Sequence, residues 1–407
     1  MTSHHLRPGD ALELLIDHRG KTPKKLGGDW CASGHRVVSA LNIKDSRVDG
    51  NDHHYVDDEL YAKWMSVPLK AGDVLLTSEA PLGELAYLKE DADWCLGQRL
   101  FALRANPAVL EGRYLYYLLM GGPVRDQLIS RATGSTVSGI RQAELVKLEL
   151  DLPDLAIQRE IAGMLGSLDD KIESNNRQVA LLSQLFSTHF RAAVNDTRDT
   201  IALKHFAEIV KGVSYKSADL RESRTALVTL KSFDRNGGYK TTGLKPYTGR
   251  YKSQQVIAPG ELAVAQTDLT QGAEVVGRAV RVPADDSAGT LVASLDLVIV
   301  RPHGETPVEY LYGILTEEAF RQHCRSMTSG TTVLHLASDA IPNYIAPLIP
   351  VERQHEFAAR VKPLISRIDS LNRETRLLKS TRDSLLPDLI GGRLATSSSH
   401  RPLKAAL

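Results

Sequence analysis

Two long stretches of the sequence carry apolar residues at the spacing of a coiled-coil helix. Across residues 154–194 the apolar positions alternate at intervals of four and three, miss one heptad position at Asn175, and then resume. Residues 351–389 show the same seam, which is typical of helices that pack on another helix. The seam residues are Ile161, Leu165, Leu168, Ile172, Val179, Leu182 and Phe186 in the first stretch and Phe357, Val361, Leu364, Ile368, Leu371, Leu378 and Leu385 in the second.

The ends and interiors of these two patterns differ in detail. Asp154, after Pro153, can cap the exposed N–H groups at the start of the first helix. Pro363 lies inside the second pattern and predicts either a kink or a later start. Asn175 occupies a seam position whose counterpart is Leu371, so we expect the helices to be inequivalent. Each stripe is the simplest partner for the other; the alternative is two separate amphipathic helices, each packed on its own domain.

The segment before each helical pattern alternates short β-branched runs with turn residues. Val256–Ile257, Val275–Val276 and Leu297–Val300 are examples, bounded by Gly, Pro and Asp. Residues 1 to about 150 and about 200 to 348 are therefore predicted to form mixed, strand-rich domains.

The sequence also repeats itself. Thr133–Val137 recurs as Ser329–Val333, an offset of 196 residues that holds without a gap over roughly the next fifty positions. Further upstream the offset becomes 188, where Ala71–Leu75 matches Pro259–Ala263. Because several blocks keep the same order, the repeat predicts two similar halves.

Composition narrows the class of protein only slightly. The chain has 407 residues, 42% hydrophobic and 24% charged, as expected of a soluble multidomain protein. Its 50 Lys+Arg against 49 Asp+Glu count mildly against a simple nucleic-acid coat protein, but allow local basic patches. No apolar run has the roughly 18 residues of a membrane span, and no signal-peptide pattern is found. Cys31, Cys95 and Cys324 lie far apart and indicate reduced thiols, hence a cytoplasmic location.

The sequence lacks the motifs that catalysis would require. No glycine-rich cofactor loop and no Asn/Asp-Pro-Pro-aromatic clamp for a flipped adenine occurs, which argues against a self-contained methyltransferase. No phosphate-binding loop of a motor protein is found. His4–His5 and His53–His54 lack the spacing of metal ligands. We therefore predict no catalytic residues and no metal site.

Basic and amide side chains are candidates for contact with DNA. Arg19, Lys21, Lys24 and Lys25 form a basic run that could pair with phosphates, although an ordinary solvated loop explains it as well. Lys231, Arg235 and Lys240 form a sparser run in the second half. Further candidates for contact with DNA, at base edges or beside them, are Asn42, Lys44, Gln98, Arg99, Asn236, Gln266 and Gln271. Hydroxyls that could bind phosphate, or else form a structural turn, belong to Thr133, Ser135, Thr136, Thr331 and Thr332.

Several of these runs, in this order, resemble the signatures of type I restriction–modification specificity subunits. Leu152–Ala162 and Leu168–Asn175 are similar to the central conserved region of that family, and Ile16–Lys25 to the opening of one class of target recognition domain. Thr133–Thr136 and Arg382–Pro387 are similar to further family signatures. The resemblance covers nearly the whole chain except its C-terminal tail.

The resemblance implies an α+β fold: two pseudo-repeated mixed α/β target recognition domains separated by two long helices that form an antiparallel coiled coil. Each domain would read one half of a bipartite, asymmetric site in double-stranded DNA, and the helices would set the gap. The expected divisions are recognition domains at 1–152 and 196–349, helices at 153–195 and 350–394, and a flexible tail at 395–407.

The resemblance also implies partners, and with them the cofactors. Two modification subunits would dock on the helices and use S-adenosylmethionine, and restriction subunits would use ATP and Mg²⁺ to translocate and cut DNA; this chain would bind no cofactor. In the second helix Ile365–Arg367 stands where the first has Asp169–Lys171, and His355 replaces Arg159, so the two copies are not expected to hold partners equally. The implied docking residues are Gln158, Arg159, Asp169, Asp170, Lys171 and Gln354.

Two other classes of function remain open from the sequence. A coiled-coil scaffold whose domains bind protein rather than DNA would share the helices and the repeat. A self-contained DNA-modifying enzyme would need the cofactor loop that is missing. Salt-dependent binding to duplex DNA distinguishes the first alternative, and methyl transfer by the isolated chain the second.

Overall fold

The computed structural model describes residues 4–49, 54–134, 137–234, 237–270, 272–284 and 288–394. The chain divides into two compact units: unit 1 is Met1–Ser174 with Thr375–Leu407, and unit 2 is Asn175–Glu374. Each unit therefore contains a strand-rich domain and a part of each long helix, whereas the predicted domains stopped where the helices begin. The predicted tail, 395–407, lies outside the described residues.

The first half of the chain forms short strands and helices followed by one long helix. The strands are β1 (His4–Leu6), β2 (Leu12–Asp17), β3 (His35–Val38), β4 (Ile43–Lys44), β5 (Arg47–Val48), β6 (His54–Val56), β7 (Val74–Thr77), β8 (Leu85–Tyr87), β9 (Cys95–Leu96), β10 (Leu100–Ala105) and β11 (Leu150–Leu152). The helices are α1 (Pro8–Ala11), α2 (Asp58–Trp64), α3 (Gly112–Met120), α4 (Gly122–Ser130), α5 (Gln142–Leu145) and the long α6 (Leu155–Val194).

The second half repeats this order. Its strands are β12 (Thr200–Ala202), β13 (Ala207–Lys211), β14 (Thr225–Val228), β15 (Lys245–Pro246), β16 (Leu262–Ala265), β17 (Thr267–Asp268), β18 (Ala279–Arg281), β19 (Thr290–Ala293), β20 (Leu297–Pro302), β21 (Thr328–Ser329), β22 (Leu334–Leu336) and β23 (Ile345–Pro347). Its helices are α7 (Val308–Thr316), α8 (Glu318–Ser326) and the long α9 (Val351–Ile390).

The sheets of the two units have the same strand order. Unit 1 has a four-stranded antiparallel sheet, β2-β10-β7-β8, and a three-stranded sheet, β6-β3-β9. Unit 2 has β13-β20-β16-β18 and β15-β14-β19 in the corresponding places. In both small sheets one strand pair is parallel. The predicted repeat is therefore a repeat of the fold.

Each four-stranded sheet is buried on both faces. In β7, Val74 and Leu76 point into one apolar cluster with α3 and α6, whereas Leu75 points into a second cluster with β3 and α2. In β16, Leu262 and Val264 alternate in the same way with Ala263 and Ala265. Side chains alternate across a strand, so a strand covered on both faces is apolar throughout. This explains the uninterrupted runs Val-Leu-Leu and Leu-Ala-Val-Ala.

Both long helices are confirmed, each with 40 residues. α6 begins directly after Asp154, whose carbonyl oxygen accepts from the N–H groups of Ile157 (2.9 Å) and Gln158 (3.0 Å). α9 begins at Val351 and continues through Pro363, so the expectation of a later start is wrong. A proline inside a helix removes one backbone hydrogen bond, and packing of the turns on either side can compensate for that loss.

The apolar seams face inward and pack in two ways at once. In unit 1, Ile161 of α6 and Leu386 of α9 belong to the same cluster as the domain core. In unit 2, Asn175 Nδ2 of α6 donates to Glu374 Oε2 of α9 (2.9 Å). Phe186, which is later in α6, packs on Phe357, which is earlier in α9. The helices are therefore antiparallel, as expected, and their ends also pack on the adjoining domain.

Candidate nucleic-acid interface

A cleft of about 580 Å³ opens in unit 1 where three strands of the four-stranded sheet end. The residues after β2, after β7 and before β10 line it, because these strands are hydrogen-bonded neighbours. Asp17 pairs with Phe101 in the register of the sheet. The cleft brings together four predicted DNA-binding side chains from distant parts of the sequence: Arg19, Lys21, Gln98 and Arg99.

Arg19 is held inside the wall of this cleft. Its guanidinium donates to both carboxylate oxygens of Asp17 (2.8 and 2.7 Å) and to the carbonyl of Ile140 (3.2 Å), and it lies 4.1 Å from the ring centre of Phe101. Burial works to raise the pKa of Asp17, but the hydrogen bonds from Arg19 hold that pKa below its ordinary value. Arg19 therefore fixes the loop that carries it, a role that its charge alone did not reveal.

The lysines after Arg19 differ in how freely they reach solvent. Lys21 is half-buried, and its Nζ donates to the carbonyl oxygen of Trp64. Lys25 Nζ donates to the carbonyl oxygen of Gly20 (2.9 Å), but its side chain, like that of Lys24, is exposed. Lys24 and Lys25 are thus the members of the basic run best placed to meet phosphates.

Gln98 and Arg99 protrude at the mouth of the cleft, between β9 and β10. Arg99 has a positive φ of 62°, which is uncommon for a residue with a side chain and often marks a functional position. Its guanidinium forms an exposed ion pair with Glu79, with a distance of 3.1 Å between the charged atoms. Glutamine can read adenine and arginine can read guanine in the major groove, so this pair has the chemistry of base readout.

Asn42 is a structural residue rather than a base reader. It is 3% exposed, and its Oδ1 accepts from the backbone N–H of Ser39 (2.9 Å) in a capping box that ends β3. Lys44 lies two residues later, exposed and paired with Asp49 (3.1 Å). Of these two candidates, only Lys44 reaches the surface of unit 1.

The corresponding capping box in unit 2 carries a basic side chain on the surface. Thr229 Oγ1 accepts from the N–H of Lys231, whose side chain is exposed. Lys240 forms an ion pair with Asp234 (2.6 Å) across the same turn. Both lysines therefore lie beside one surface turn of unit 2.

Gln266 serves the interior of unit 2. Its Nε2 donates to the carbonyl oxygens of Leu295 (2.8 Å) and Leu297 (3.2 Å), and so ties the end of β16 to the start of β20. Leu295, which is 50% exposed, and Asp296 precede β20 where Gln98 and Arg99 precede β10. The two units therefore present different chemistry on the same loop.

The repeated segments around Gly134 and Gly330 depend on these glycines. Gly134 (φ +124°) and Gly330 (φ +121°) have backbone conformations that other residues rarely adopt. A Cβ at either position would lie 2.1 Å from the carbonyl oxygen three residues on. The glycine thus serves the turn itself, while exposed hydroxyls flank it at Thr133, Thr331 and Thr332.

Five candidates lie outside the described residues: Ser135, Thr136, Arg235, Asn236 and Gln271. Their DNA-binding roles stay predictions.

The predicted docking residues on the long helices fall into two groups. Gln158 (1% exposed) and Gln354 (4% exposed) are buried, so their side chains do not form a surface on their own units. Arg159 and Lys171 are exposed. Docking through any of these residues stays a prediction. The two glutamines are the least suited to it, because their side chains are buried.

Asp169 and Asp170 attach α6 to the rest of unit 1. Asp169 accepts from the hydroxyl of Tyr117 (2.5 Å) and from Arg382 Nη1 (2.7 Å). Asp170 accepts from Arg113 (3.0 and 2.8 Å), which holds the pKa of Asp170 at about 2. The sequence analysis did not predict these contacts, because the partners lie far from the two aspartates along the chain.

Two further observations concern the described residues only. No three histidine, cysteine, aspartate or glutamate side chains lie close enough together there to hold a metal ion. None of the helices described is long and apolar enough to cross a membrane.

Comparison with known proteins finds several that this chain is similar to. The family model of the type I restriction modification DNA specificity domain matches residues 14–184. The putative type I restriction enzyme MjaX specificity subunit of Methanocaldococcus jannaschii is 30% identical over 158 residues, 37% of this chain and 37% of that protein. The MjaIX specificity subunit of the same organism is 25% identical over 356 residues, 79% of this chain and 78% of that protein.

The fold has a counterpart among solved structures. The crystal structure of a type I restriction–modification system S subunit from M. genitalium matches with a TM-score of 0.57, at 15% sequence identity. The match covers 95% of this chain and 96% of that one. At this identity the likeness shows the fold alone.

Proposed function

We propose that this chain is a DNA specificity subunit of a type I restriction–modification system, and that it reads a bipartite, asymmetric site in double-stranded DNA, one half with each unit. In this role it supplies sequence recognition and carries no catalytic site.

One observation carries the proposal: the two units share a fold but differ at the loops that would meet DNA. Gln98 and Arg99 precede β10 in unit 1, and Leu295 and Asp296 precede β20 in unit 2. Arginine and glutamine favour guanine and adenine, whereas an exposed leucine favours the thymine methyl and an aspartate accepts from cytosine. Two such surfaces would select different half-sites, so the whole site would be asymmetric.

The long helices are proposed to set the gap between the half-sites. At 1.5 Å per residue a 40-residue helix is about 60 Å long. One turn of DNA spans about 34 Å, so helices of this length suit half-sites separated by more than one turn. Changing their length should change the gap and leave the two half-sites unaltered.

The helices are also proposed to dock two modification subunits, with restriction subunits joining afterwards. Exposed apolar side chains on a helix favour a protein partner. α6 and α9 carry four of them: Met164, Leu181, Leu185 and Leu377. S-adenosylmethionine, ATP and Mg²⁺ would be used by these partners rather than by this chain.

Selection from a random duplex library tests the proposal. The complex of the full chain with its modification subunit is mixed with the library, and bound DNA is sequenced. We expect two short motifs at a fixed spacing, and a changed spacing alone when seven residues, two helical turns, are inserted into both α6 and α9. Binding without any sequence preference would contradict the proposal, and binding with no dependence on salt would favour the protein-binding scaffold.

A further inference from the structure

Three arginines of unit 2 converge on one short stretch of backbone. Arg278, just before β18, donates to the carbonyl oxygen of Glu274 (2.7 Å), and Arg321 of α8 donates to the same oxygen (3.0 Å). Arg325, one helical turn further along α8, donates to the carbonyl oxygen of Ala273 (3.1 Å). The three guanidinium groups are thus gathered around residues 273 and 274.

The three guanidinium groups lie close enough together to repel one another. Burial lowers the pKa of both Arg278 and Arg321, and the charge of Arg325 lowers each further. Glu318 offers only long ion-pair contacts, 3.9 Å to Arg321 and 4.0 Å to Arg325. The charge of Asp234 acts against this lowering at Arg278, and that of Asp268 at Arg321. An anion would relieve this repulsion.

Donors are still available at the cluster. A guanidinium has five N–H donors, and the carbonyl bonds use one from each arginine. The Nε of Arg321 is buried and has no hydrogen-bond partner among the described residues. A forked set of cationic donors is the geometry that binds phosphate most strongly.

The cluster lies between segments already predicted to meet DNA. Arg278 lies beside Gly237: its Nη1 is 3.8 Å from the point that a Cβ on this glycine would occupy. Lys240 lies three residues further along the chain. Thr328 Oγ1 donates to the carbonyl oxygen of Arg325 (2.8 Å), and the turn at 329–332 follows directly. A phosphate bound here would therefore sit beside both segments.

Unit 1 has no equivalent cluster at the matching positions of its helix. The residue 196 positions before Arg321 is Arg125, which donates to the carbonyl oxygen of Gly83. The residue that corresponds to Arg325 is Ile129, which is exposed. The arginine cluster is therefore a specialisation of unit 2.

We propose that Arg278, Arg321 and Arg325 bind a backbone phosphate of the DNA, and that this contact fixes the position of unit 2 on its half-site. The proposal rests on the proposed function. A phosphate contact orients a protein on the duplex without reading its sequence, so the arginines would contribute affinity and register.

The test measures how DNA affinity depends on salt for the complex of the full chain with its modification subunit, on a duplex that carries the selected motif. Each phosphate contact contributes about 0.9 to the slope of log K against log salt. Because Arg278 and Arg321 would still reach the phosphate, we expect Arg325→Gln to lower the slope by up to about 0.9, and to weaken binding by up to about eightfold at 0.1 M salt, with the motif unchanged. Arg325→Lys, which keeps the charge, should retain most of the slope.

Lys204→Gln serves as the control, because it removes one charge from an exposed side chain of unit 2 whose Nζ makes a long hydrogen bond, 3.4 Å to Asn343 Oδ1. An unchanged slope in Arg325→Gln, or a change equal to that of Lys204→Gln, would overturn the phosphate site while sequence preference survives. Equal loss of slope in Arg325→Lys and Arg325→Gln would also overturn it, since the charge would not be what matters. A wild-type complex with no salt-dependent DNA binding would instead overturn the proposed function.

Discussion

In each unit the strand-rich domain is held to the long helices, and the two units do this through different chemistry at matching positions. In unit 1 the attachment is the polar junction, formed by Tyr117, Asp169 and Arg382, in which the aspartate accepts from both partners. The residues related to these by the 196-residue offset are Gly313, Ile365 and Phe186. Unit 2 thus has apolar residues at every position where unit 1 has a hydrogen-bonding one.

The attachment of unit 2 is an aromatic junction formed by Phe186, Phe190 and Phe357. The ring centre of Phe357 lies 5.7 Å from that of Phe190 and 5.8 Å from that of Phe186. The absence of a side chain at Gly313 makes room for Phe190, since a Cβ there would lie 2.2 Å from its ring. A duplicated framework can therefore keep its fold while a buried ion pair in one copy is replaced by apolar packing in the other.

The largest expected effect is the loss of the aromatic junction. Phe190→Ala removes a ring that is 2% exposed, and should destabilise unit 2 by about 3–5 kcal/mol. Native-state hydrogen exchange, read separately for peptides of each unit, measures the free energy of opening. Leu185→Ala on the exposed face of the same helix is the control and should cost within about 0.5 kcal/mol. Equal costs for the two variants would show that the junction does not hold unit 2.

The polar junction should be the next most sensitive. Asp169→Ala leaves the largely buried Arg382 without one of its two carboxylate partners, and should cost unit 1 about 3 kcal/mol. The double variant Asp169→Ile with Arg382→Phe introduces the residues of unit 2, and should recover part of that loss because no unpaired charge remains. A double variant less stable than Asp169→Ala, by the same exchange measurement, would show that the two chemistries are not interchangeable.

The buried glutamines sharpen the comparison further. Gln158 accepts from the N–H of Glu111 (3.0 Å) and donates to two carbonyl oxygens, whereas Gln354 donates to Ile349 (2.9 Å) and its Oε1 has no partner among the described residues. The residue matching Glu111 is Pro307, which has no N–H. We expect Gln158→Ala to cost about 2 kcal/mol and Gln354→Ala about 1 kcal/mol or less, by hydrogen exchange of each unit. A larger cost at Gln354 would contradict this account.

The smallest expected effect is the loss of the Asp170 ion pair, which should change how the stability of unit 1 depends on pH. Because the pKa of Asp170 is held at about 2 by Arg113, its contribution is complete above the ordinary value of 3.8 and is lost as the pH falls towards 2. Asp170 is half-exposed, so Asp170→Asn should cost less than about 1 kcal/mol at pH 7. Unfolding of unit 1 followed from pH 7 to pH 2 should show the difference between wild type and variant shrinking below pH 4. A difference that persists unchanged at pH 2 would exclude the ion pair as its cause.

The features that sequence predicted best are those with a local period. The heptad seam located both helices because its period lies within neighbouring residues, and the offset of 196 residues located the duplication because several blocks keep the same order. The roles of single polar residues were harder to predict. Asn42 offered a signal that was missed: Ser39 three residues before it is the spacing of a capping box. Asp17, two residues before Arg19, was a similar signal.

Other parts of the structure had no signal in the sequence. Asp169 meets Tyr117 and Arg382 only after folding, 52 and 213 residues away along the chain. The arginines that gather around residue 274 come from the end of a loop and from a helix, and each by itself is an ordinary surface charge. Contacts between distant residues depend on the topology of the fold, and a single sequence shows no periodic pattern that predicts them.

The most direct test of two units that read independently is a map of adenine methylation in DNA from cells that carry this chain and its modification subunit. The wild-type chain is compared with one in which residues 196–349 are exchanged for the same segment of a relative. We predict a bipartite motif in which the exchange changes one half, while the other half stays the same. A change in both halves would contradict independent reading, and the absence of any sequence-specific methylation from a verified complex would contradict the function itself.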